Sequence, residues 1–256
     1  MRKIYVLGMA LLMAAVMALP ANAAMWVGGE LGGNIIGDTN LTLSSPQLHG
    51  QFKFTGVHFE PTVIGGLTVG YDFVNAGFAG YPWPDWMKYF GFIMDFTYNR
   101  VTIKQQTVQT SFGGTSLGNL RLFAAPLPGT FKSESNGCIP VLAFLLYGHY
   151  GFFTDSEIAI GRVHPYLGVG PAIAFANLDA GPWGLGNKYS TNIALAAEGG
   201  VRFILLPNVT TDLGFRYRYL QPSWTFSSPP AYLGSVKASV DAINSFSFLW
   251  RVNYHF

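Results

Sequence analysis

The stretch FSFLWRVNYHF, residues 246–256, places a large apolar side chain at every second position. These positions are Phe246, Phe248, Trp250, Val252, Tyr254 and Phe256. Because an extended strand sends successive side chains to opposite sides, the stretch predicts a β-strand with one apolar face. The other face carries Ser247, Leu249, Arg251, Asn253 and His255. One such strand does not show whether the apolar face meets a protein core or lipid, so the other strands must decide.

Comparable alternation recurs along most of the chain. The segments are residues 25–36, 62–73, 89–99, 139–153, 164–175, 192–203 and 209–219. Segment 139–153 is apolar on both sides, but it is shorter than the roughly 20 residues of a helical membrane span. It also contains Pro140 and Gly148, so we interpret it as a strand. The sequence therefore predicts about eight strands of about 10–14 residues, a length that crosses a bilayer when tilted.

Charged residues fall on the face opposite the large apolar side chains. They are Glu30, Asp72, Asp95, Glu198, Arg202, Asp212, Arg216, Arg218 and Arg251. A charge on the inner face of a soluble sandwich is costly unless it is paired. A closed barrel in lipid instead has apolar groups outside, a polar interior and no free strand edge. The predicted fold class is all-β, an eight-stranded antiparallel up-and-down transmembrane β-barrel.

The nine charged residues are predicted to form a polar network inside this barrel. An eight-stranded barrel is just wide enough for its side chains to fill, so the network is expected to plug the interior. Arg216 and Arg218 are an even number of positions from Asp212, so they lie on the same face of the strand, and Phe215 and Tyr217 lie on the other face. We therefore expect both guanidinium groups to point inward to acids.

The connections between the predicted strands alternate in length. With the amino terminus on the periplasmic side, the outer loops are residues 37–61, 100–138, 176–190 and 221–243. The periplasmic turns are residues 74–88, 154–162 and 204–208. Long outer loops and short inner turns are typical of bacterial barrels, although the first turn is longer than expected. Because two outer loops are rich in Ser, Thr, Gly and Pro and carry exposed aromatics, they are candidates for surface recognition.

The first residues indicate export. Arg2 and Lys3 precede an apolar stretch, and Ala21-Asn22-Ala23 is typical of a signal-peptide cleavage site. We predict a signal peptide over residues 1–23 and a barrel domain over residues 24–256. An uncleaved membrane anchor is the less favoured interpretation, because the apolar stretch is short and a cleavage site follows it.

The composition agrees with a membrane protein and gives no support to a nucleic-acid partner. Half of the residues are hydrophobic and only 11% are charged, against about 25% in an ordinary soluble domain. Without Arg2 and Lys3, thirteen basic residues stand against thirteen acidic ones, so a nucleic-acid partner gains no support. The sole cysteine, Cys138, cannot form an intrachain disulfide.

Four segments carry a resemblance to a known family. They are GGLTVGYDF (65–73), GRVHPYLGVGPAIAF (161–175), EGGVRF (198–203) with DLGFRYRYL (212–220), and FLWRVNYHF (248–256). With its strands laid out in this way, the chain resembles the barrel domain of the small outer-membrane proteins of the OmpA/OmpX-like superfamily. The resemblance implies location in the bacterial outer membrane, with outer-membrane lipids and the barrel assembly machinery as partners.

The last of these segments is similar to the carboxy-terminal signal by which such barrels are recognised and inserted. The resemblance assigns this role to Phe248, Trp250, Val252, Tyr254 and Phe256. The extracellular ligand, if the loops bind one, is not indicated by any motif.

No catalytic, metal or cofactor site is predicted. Resemblance to the lipid A deacylases would require a His-x-Ser motif, and none of the five histidines is followed by serine at that spacing. The histidines are scattered and Cys138 stands alone, which gives no metal-ligand pattern. GVGPAIAF leads into no helix and is not a phosphate loop.

The expected function is therefore non-enzymatic, with a structural or surface-interaction role. A narrow channel or transporter for small or apolar solutes remains open, because one strand is rich in Phe and Leu and the interior is lined by glycine. A lipid-modifying enzyme is the third and least favoured alternative.

Overall fold

A computed structural model describes residues 25–45, 50–73, 84–122, 135–154, 156–158, 161–179, 187–227 and 235–256. The predicted signal peptide, residues 1–23, lies outside these ranges. The strands described are β1 (Met25–Ile36), β2 (Thr39–Ser45), β3 (Gly50–Val57), β4 (Thr62–Asp72), β5 (Phe90–Ile103), β6 (Gln106–Phe112), β7 (Thr115–Leu122), β8 (Ser135–His149), β9 (Val163–Asp179), β10 (Asn187–Leu206), β11 (Val209–Leu220), β12 (Ser223–Ser227), β13 (Ser235–Val240) and β14 (Ile243–His255).

Eight of these strands close into an antiparallel barrel. Their order is β1-β14-β11-β10-β9-β8-β5-β4, and β1 also pairs with β4 to complete the ring. The predicted eight-stranded up-and-down barrel is confirmed. The ambiguous apolar segment forms most of β8, and Pro140 lies within this strand opposite Tyr98 of β5.

The two faces of the barrel strands differ as the alternation predicts. On β14, Phe248 and Trp250 are 63% and 56% exposed, whereas Arg251 and Asn253 are each 1% exposed. The same contrast holds on β11, where Leu213 is exposed and Asp212 is buried. The apolar face therefore points away from the barrel axis and the charged face lies inside, the arrangement of a barrel embedded in lipid.

β5, β8, β9 and β10 extend into segments that the sequence pattern predicts as outer loops. β9 has 17 residues and β10 has 20, so residues 176–179 and 187–190 of the expected third outer loop are strand instead. The inward positions in this part are small: Ala172, Ala174 and Ala176 on β9 and Ala194 on β10 are buried. Alanine at the inward positions, followed by polar Asn177 on the outward face, weakens the hydrophobic alternation, so the pattern predicts strands that end too early.

Six shorter strands form a second antiparallel sheet, which we call the outer sheet. Its order is β12-β13-β2-β3-β6-β7, and it is built from three of the connections predicted as outer loops. Hairpins β2/β3, β6/β7 and β12/β13 supply local pairs, and β13 pairs with β2 across about 200 residues of sequence. The sheet meets the barrel through Trp224 of β12, whose Nε1 donates to the Ala176 carbonyl over 3.0 Å.

The opposite end of the barrel carries a short 3-10 helix, Asp85–Tyr89, ahead of β5. Within the described ranges, no helix has the length and apolar character needed for a helical membrane span.

Glycine makes room for two large side chains inside the barrel. A Cβ atom on Gly70 would lie 2.1 Å from the ring of Trp26, and one on Gly91 would lie 2.6 Å from the ring of Tyr147. Both rings are buried. Any larger residue at these glycines would therefore push the ring out of its position in the lumen.

Candidate functional site

The centre of the barrel is filled by a charged layer of five side chains. They are Glu30 on β1, Asp95 on β5, Glu198 on β10, Arg216 on β11 and Arg251 on β14. All five are buried, with at most 6% of their surface exposed. Each comes from an inward position of its strand, so the layer is assembled from five of the eight barrel strands.

Arg216 binds acids from three other strands. Its Nη1 lies 2.8 Å from Asp95 Oδ1 and 3.2 Å from Glu30 Oε1, and its Nε lies 2.7 Å from Glu198 Oε2. The planar guanidinium can donate in several directions at once, which suits a site surrounded by carboxylates. Arg216 therefore ties β11 to β1, β5 and β10 across the barrel axis.

Arg251 is the second cross-link of the charged layer. Its Nη2 lies 2.8 Å from Glu30 Oε2 and 3.0 Å from Glu198 Oε1, and its Nη1 lies 3.3 Å from Asp212 Oδ2. The hydroxyl of Tyr166 donates to Glu198 Oε1 over 2.8 Å. The acids of the layer are therefore satisfied by several charged or hydroxyl donors, as buried carboxylates require.

A second cluster continues from this layer toward the periplasmic end. Arg202 binds Asp212 with Nε to Oδ1 at 3.0 Å and approaches Asp72 Oδ2 at 3.7 Å. Its guanidinium carbon stands 4.7 Å from the centre of the Trp26 ring, a cation–π contact. Tyr147 donates its hydroxyl hydrogen to Asp72. Asp212 links the two clusters because it also accepts from Arg251.

Two histidines extend this cluster. His149 and His164 face each other with their Nδ1 atoms 3.1 Å apart, and His164 Nε2 lies 2.9 Å from the Gly161 carbonyl. Within the described ranges, no three His, Cys, Asp or Glu side chains are placed to hold a metal ion. The pair is a hydrogen-bonded part of the interior packing.

Arg218 was expected to point inward and to contact an acid, and only the inward direction is observed. It points inward and is buried, but its partners are neutral: Nη1 donates to Thr97 Oγ1 and Nη2 to Asn34 Oδ1, each over 3.2 Å. Among the described residues no carboxylate lies within 4.0 Å of this guanidinium, so the expectation that Arg218 meets an acid is wrong. Arg218 lies one inward position beyond Arg216 on β11, at a level where β1, β5 and β14 present Asn34, Thr97 and Ser245.

An apolar cavity lies beyond Arg218, between the barrel wall and the outer sheet. It encloses about 30 Å³ of space open to water-sized molecules, and its walls present almost only carbon. The lining residues include Leu41, Val57, Phe59, Val101, Ile103, Ile139, Leu178, Trp224, Val240 and Ile243. Sequence reasoning missed this cavity, because all of its lining residues except Ile139 lie in segments that the sequence pattern predicts as outer loops.

The side chains assigned to the assembly signal lie on the outside of the barrel. Phe248, Trp250, Val252, Tyr254 and Phe256 are between 43% and 63% exposed. Trp250 also donates from Nε1 to Thr211 Oγ1 on β11 over 2.8 Å. The segment therefore belongs to the closing strand, and its aromatic side chains face the surroundings of the barrel.

Comparison with known proteins identifies the fold. No protein-family model matches the chain, and no curated protein matches it. Among solved structures, the outer membrane protein OprG from Pseudomonas aeruginosa is 14% identical, with 92% of this chain and 98% of that chain covered at a TM-score of 0.53. The chain has the fold of a small outer-membrane β-barrel. The expected outer-membrane location agrees with this fold.

Two further structures are similar over most of their length. Neisserial surface protein A is 18% identical, with 93% of this chain and 100% of that chain covered at a TM-score of 0.47. Ail, the attachment invasion locus protein of Yersinia pestis, is 12% identical, with coverage of 88% and 99% and a TM-score of 0.36. Identities this low carry no information about function, so function must be argued from the interior and the outer sheet.

Proposed function

We propose that this protein is a non-conducting, non-enzymatic barrel that stabilises the outer membrane and contacts extracellular partners through its outer sheet. The charged layer carries the first part of the proposal. Arg216 and Arg251 bridge acids from opposite sides of a barrel that is only wide enough for its side chains. An ion that crossed this level would have to separate buried ion pairs.

Separating these pairs is costly because the charges are out of contact with water. Removal of one partner of a buried ion pair typically costs about 3–5 kcal/mol, since the other charge is left without compensation. In the charged layer each guanidinium has more than one carboxylate partner. A transient opening would expose several charges at once, so the layer is suited to closing the lumen permanently.

Conductance across planar bilayers tests the closed lumen. We expect the unmodified protein to give no reproducible open-channel steps, because the buried, ion-paired side chains of the charged layer occupy the lumen. The Arg216→Ala protein is expected to conduct, because the change removes a cross-link and a large side chain from the axis. Arg162→Ala is the matched control, since Arg162 pairs with Glu157 at an exposed turn. A stable open channel in the unmodified protein would contradict the proposal.

The outer sheet supports the second part of the proposal. Its edge strand β7 presents exposed side chains, among them Leu117 and Leu120. Ordered strands hold such side chains in fixed positions, which favours recognition over a mobile loop of the same composition. Solute uptake by vesicles that contain the protein separates this role from that of a narrow transporter: a transporter would raise uptake, and a closed barrel would not.

We also propose that the outer-membrane assembly machinery binds the terminal residues of β14. The support is the alternation that ends at Phe256 and the exposure of its aromatic side chains. Removal of Phe256 is expected to lower the yield of inserted protein in cells more than it lowers the stability of folded protein. The backbone N–H of Phe256 bonds the Met25 carbonyl at 3.1 Å, so some stability loss is expected too. Equal insertion of the truncated and full-length chains would argue against the signal.

A further inference from the structure

We propose that the apolar cavity beneath the outer sheet is a binding site for one small, uncharged, mainly hydrocarbon molecule. This site is separate from the closed lumen and does not require conduction. Its occupant would be held between the outer sheet and the barrel wall. The composition of the wall and the pairing of its polar groups carry the proposal.

Most side chains of the wall are apolar. Leu41 of β2, Val57 of β3 and Val240 of β13 contribute from the outer sheet, and Val101 of β5 and Ile139 of β8 contribute from the barrel. These five side chains are buried, so they are withdrawn from both lipid and water. Dry cavities with aliphatic and aromatic walls bind apolar atoms such as xenon in other proteins.

The few polar side chains at the wall already have protein partners. Thr39 donates to the Ala242 carbonyl at 3.1 Å, Ser135 to the Asp179 carbonyl at 2.7 Å, and Trp224 Nε1 to the Ala176 carbonyl. Asn136 accepts from Thr102, and Asn177 donates to Asn187 and to the Lys188 carbonyl. These side chains are engaged in hydrogen bonds within the protein, and the surface that the cavity presents is almost entirely carbon, so it suits an apolar occupant.

Water is a poor occupant for the same reason. A buried water molecule needs a cavity of only about 10–15 Å³ in this measure, so space is sufficient, but it also needs two to four polar partners. A charged molecule is excluded more strongly, because an ion in such surroundings would lose its hydration without gaining a partner. Arg218 does not line the cavity, and its guanidinium already donates to Thr97 and Asn34.

Isoleucine methyl groups offer a direct test with xenon as the probe. Ile103, Ile139 and Ile243 line the cavity, whereas Ile193 is 87% exposed on the lipid-facing side of β10. With isoleucine methyl groups labelled with ¹³C in detergent-solubilised protein, we expect xenon to shift the three cavity resonances in a saturable manner. Xenon that only dissolves in the detergent would shift Ile193 in proportion to its pressure, without saturation.

A pair of identical substitutions provides the control. Val101→Phe fills the cavity, whereas Val63→Phe adds the same ring on the lipid-facing side of β4. We expect the saturable shift to be lost in the first protein and kept in the second. Heat-dependent mobility on a gel shows that each variant is folded, and Ile139→Phe replaces Val101→Phe if that protein does not fold.

Two outcomes would overturn the proposal. One is an unmodified protein in which xenon produces no saturable shift at Ile103, Ile139 or Ile243. The other is a folded, filled variant that binds xenon as the unmodified protein does.

Discussion

Replacement of Arg216 by Met is expected to lower the free energy of unfolding by about 3–5 kcal/mol, the usual cost of removing one partner from a buried ion pair. Arg216 is fully buried and contacts Glu30, Asp95 and Glu198, so its removal leaves these acids with too little positive charge. Urea-induced unfolding in lipid vesicles, followed by tryptophan fluorescence, measures the change.

The same substitution at an exposed site is the control. Arg162→Met removes a surface pair with Glu157 and is expected to cost at most about 1 kcal/mol. A triple variant, Arg216→Met with Asp95→Asn and Glu198→Gln, is expected to recover much of the loss, because it removes the uncompensated negative charge. Equal stability of the Arg216→Met and unmodified proteins would show that the charged layer does not hold the strands together.

Replacement of Leu213 by Arg is expected to cost about 2–4 kcal/mol, the penalty for arginine on the lipid face near the middle of a bilayer. Leu213 lies near the middle of β11 and points outward, with 57% of its surface exposed. An arginine there would have to enter hydrocarbon or bend toward the interface. Unfolding in vesicles of lipids with defined chain length measures the loss.

Leu205→Arg gives the matched comparison for this prediction. Leu205 is almost as exposed as Leu213, but it lies at the periplasmic end of β10. Near the interface the same substitution is expected to cost about 0–1 kcal/mol. If both variants lost equal stability, or if Leu213→Arg were neutral, the outward face of β11 would not be in contact with acyl chains.

Much of the barrel follows from the sequence because its determinants are local. Alternation with period two needs only neighbouring residues, and it placed the strand around Phe248 and the inward position of Arg251 without knowledge of their partners. The Glu198–Arg216 pair is a similar case, because the parity of both residues was visible. Parity states which side of a strand a residue occupies, but it does not state the level at which the residue meets other strands.

The sequence pattern does not give the register between neighbouring strands, which sets that level. Arg218 has the same parity as Arg216, yet the register of β11 against β14 puts it opposite Ser245, away from the acids. The outer sheet was missed for a related reason, since it depends on pairing such as Leu43 with Ala238, far apart in the chain. The apolar cavity follows from that sheet, and so no local pattern predicts it.

The central claim is that outward apolar residues contact acyl chains and the inward ones pack in a closed interior. Nuclear Overhauser effects between lipid methylene protons and leucine methyl groups, recorded on the unmodified protein in lipid nanodiscs, test this claim most directly. We predict strong effects to Leu31, Leu67 and Leu213, which are 57%, 45% and 57% exposed, and none to the buried Leu145 and Leu249. Lipid contacts at Leu145 and Leu249, with none at the outward leucines, would contradict the account.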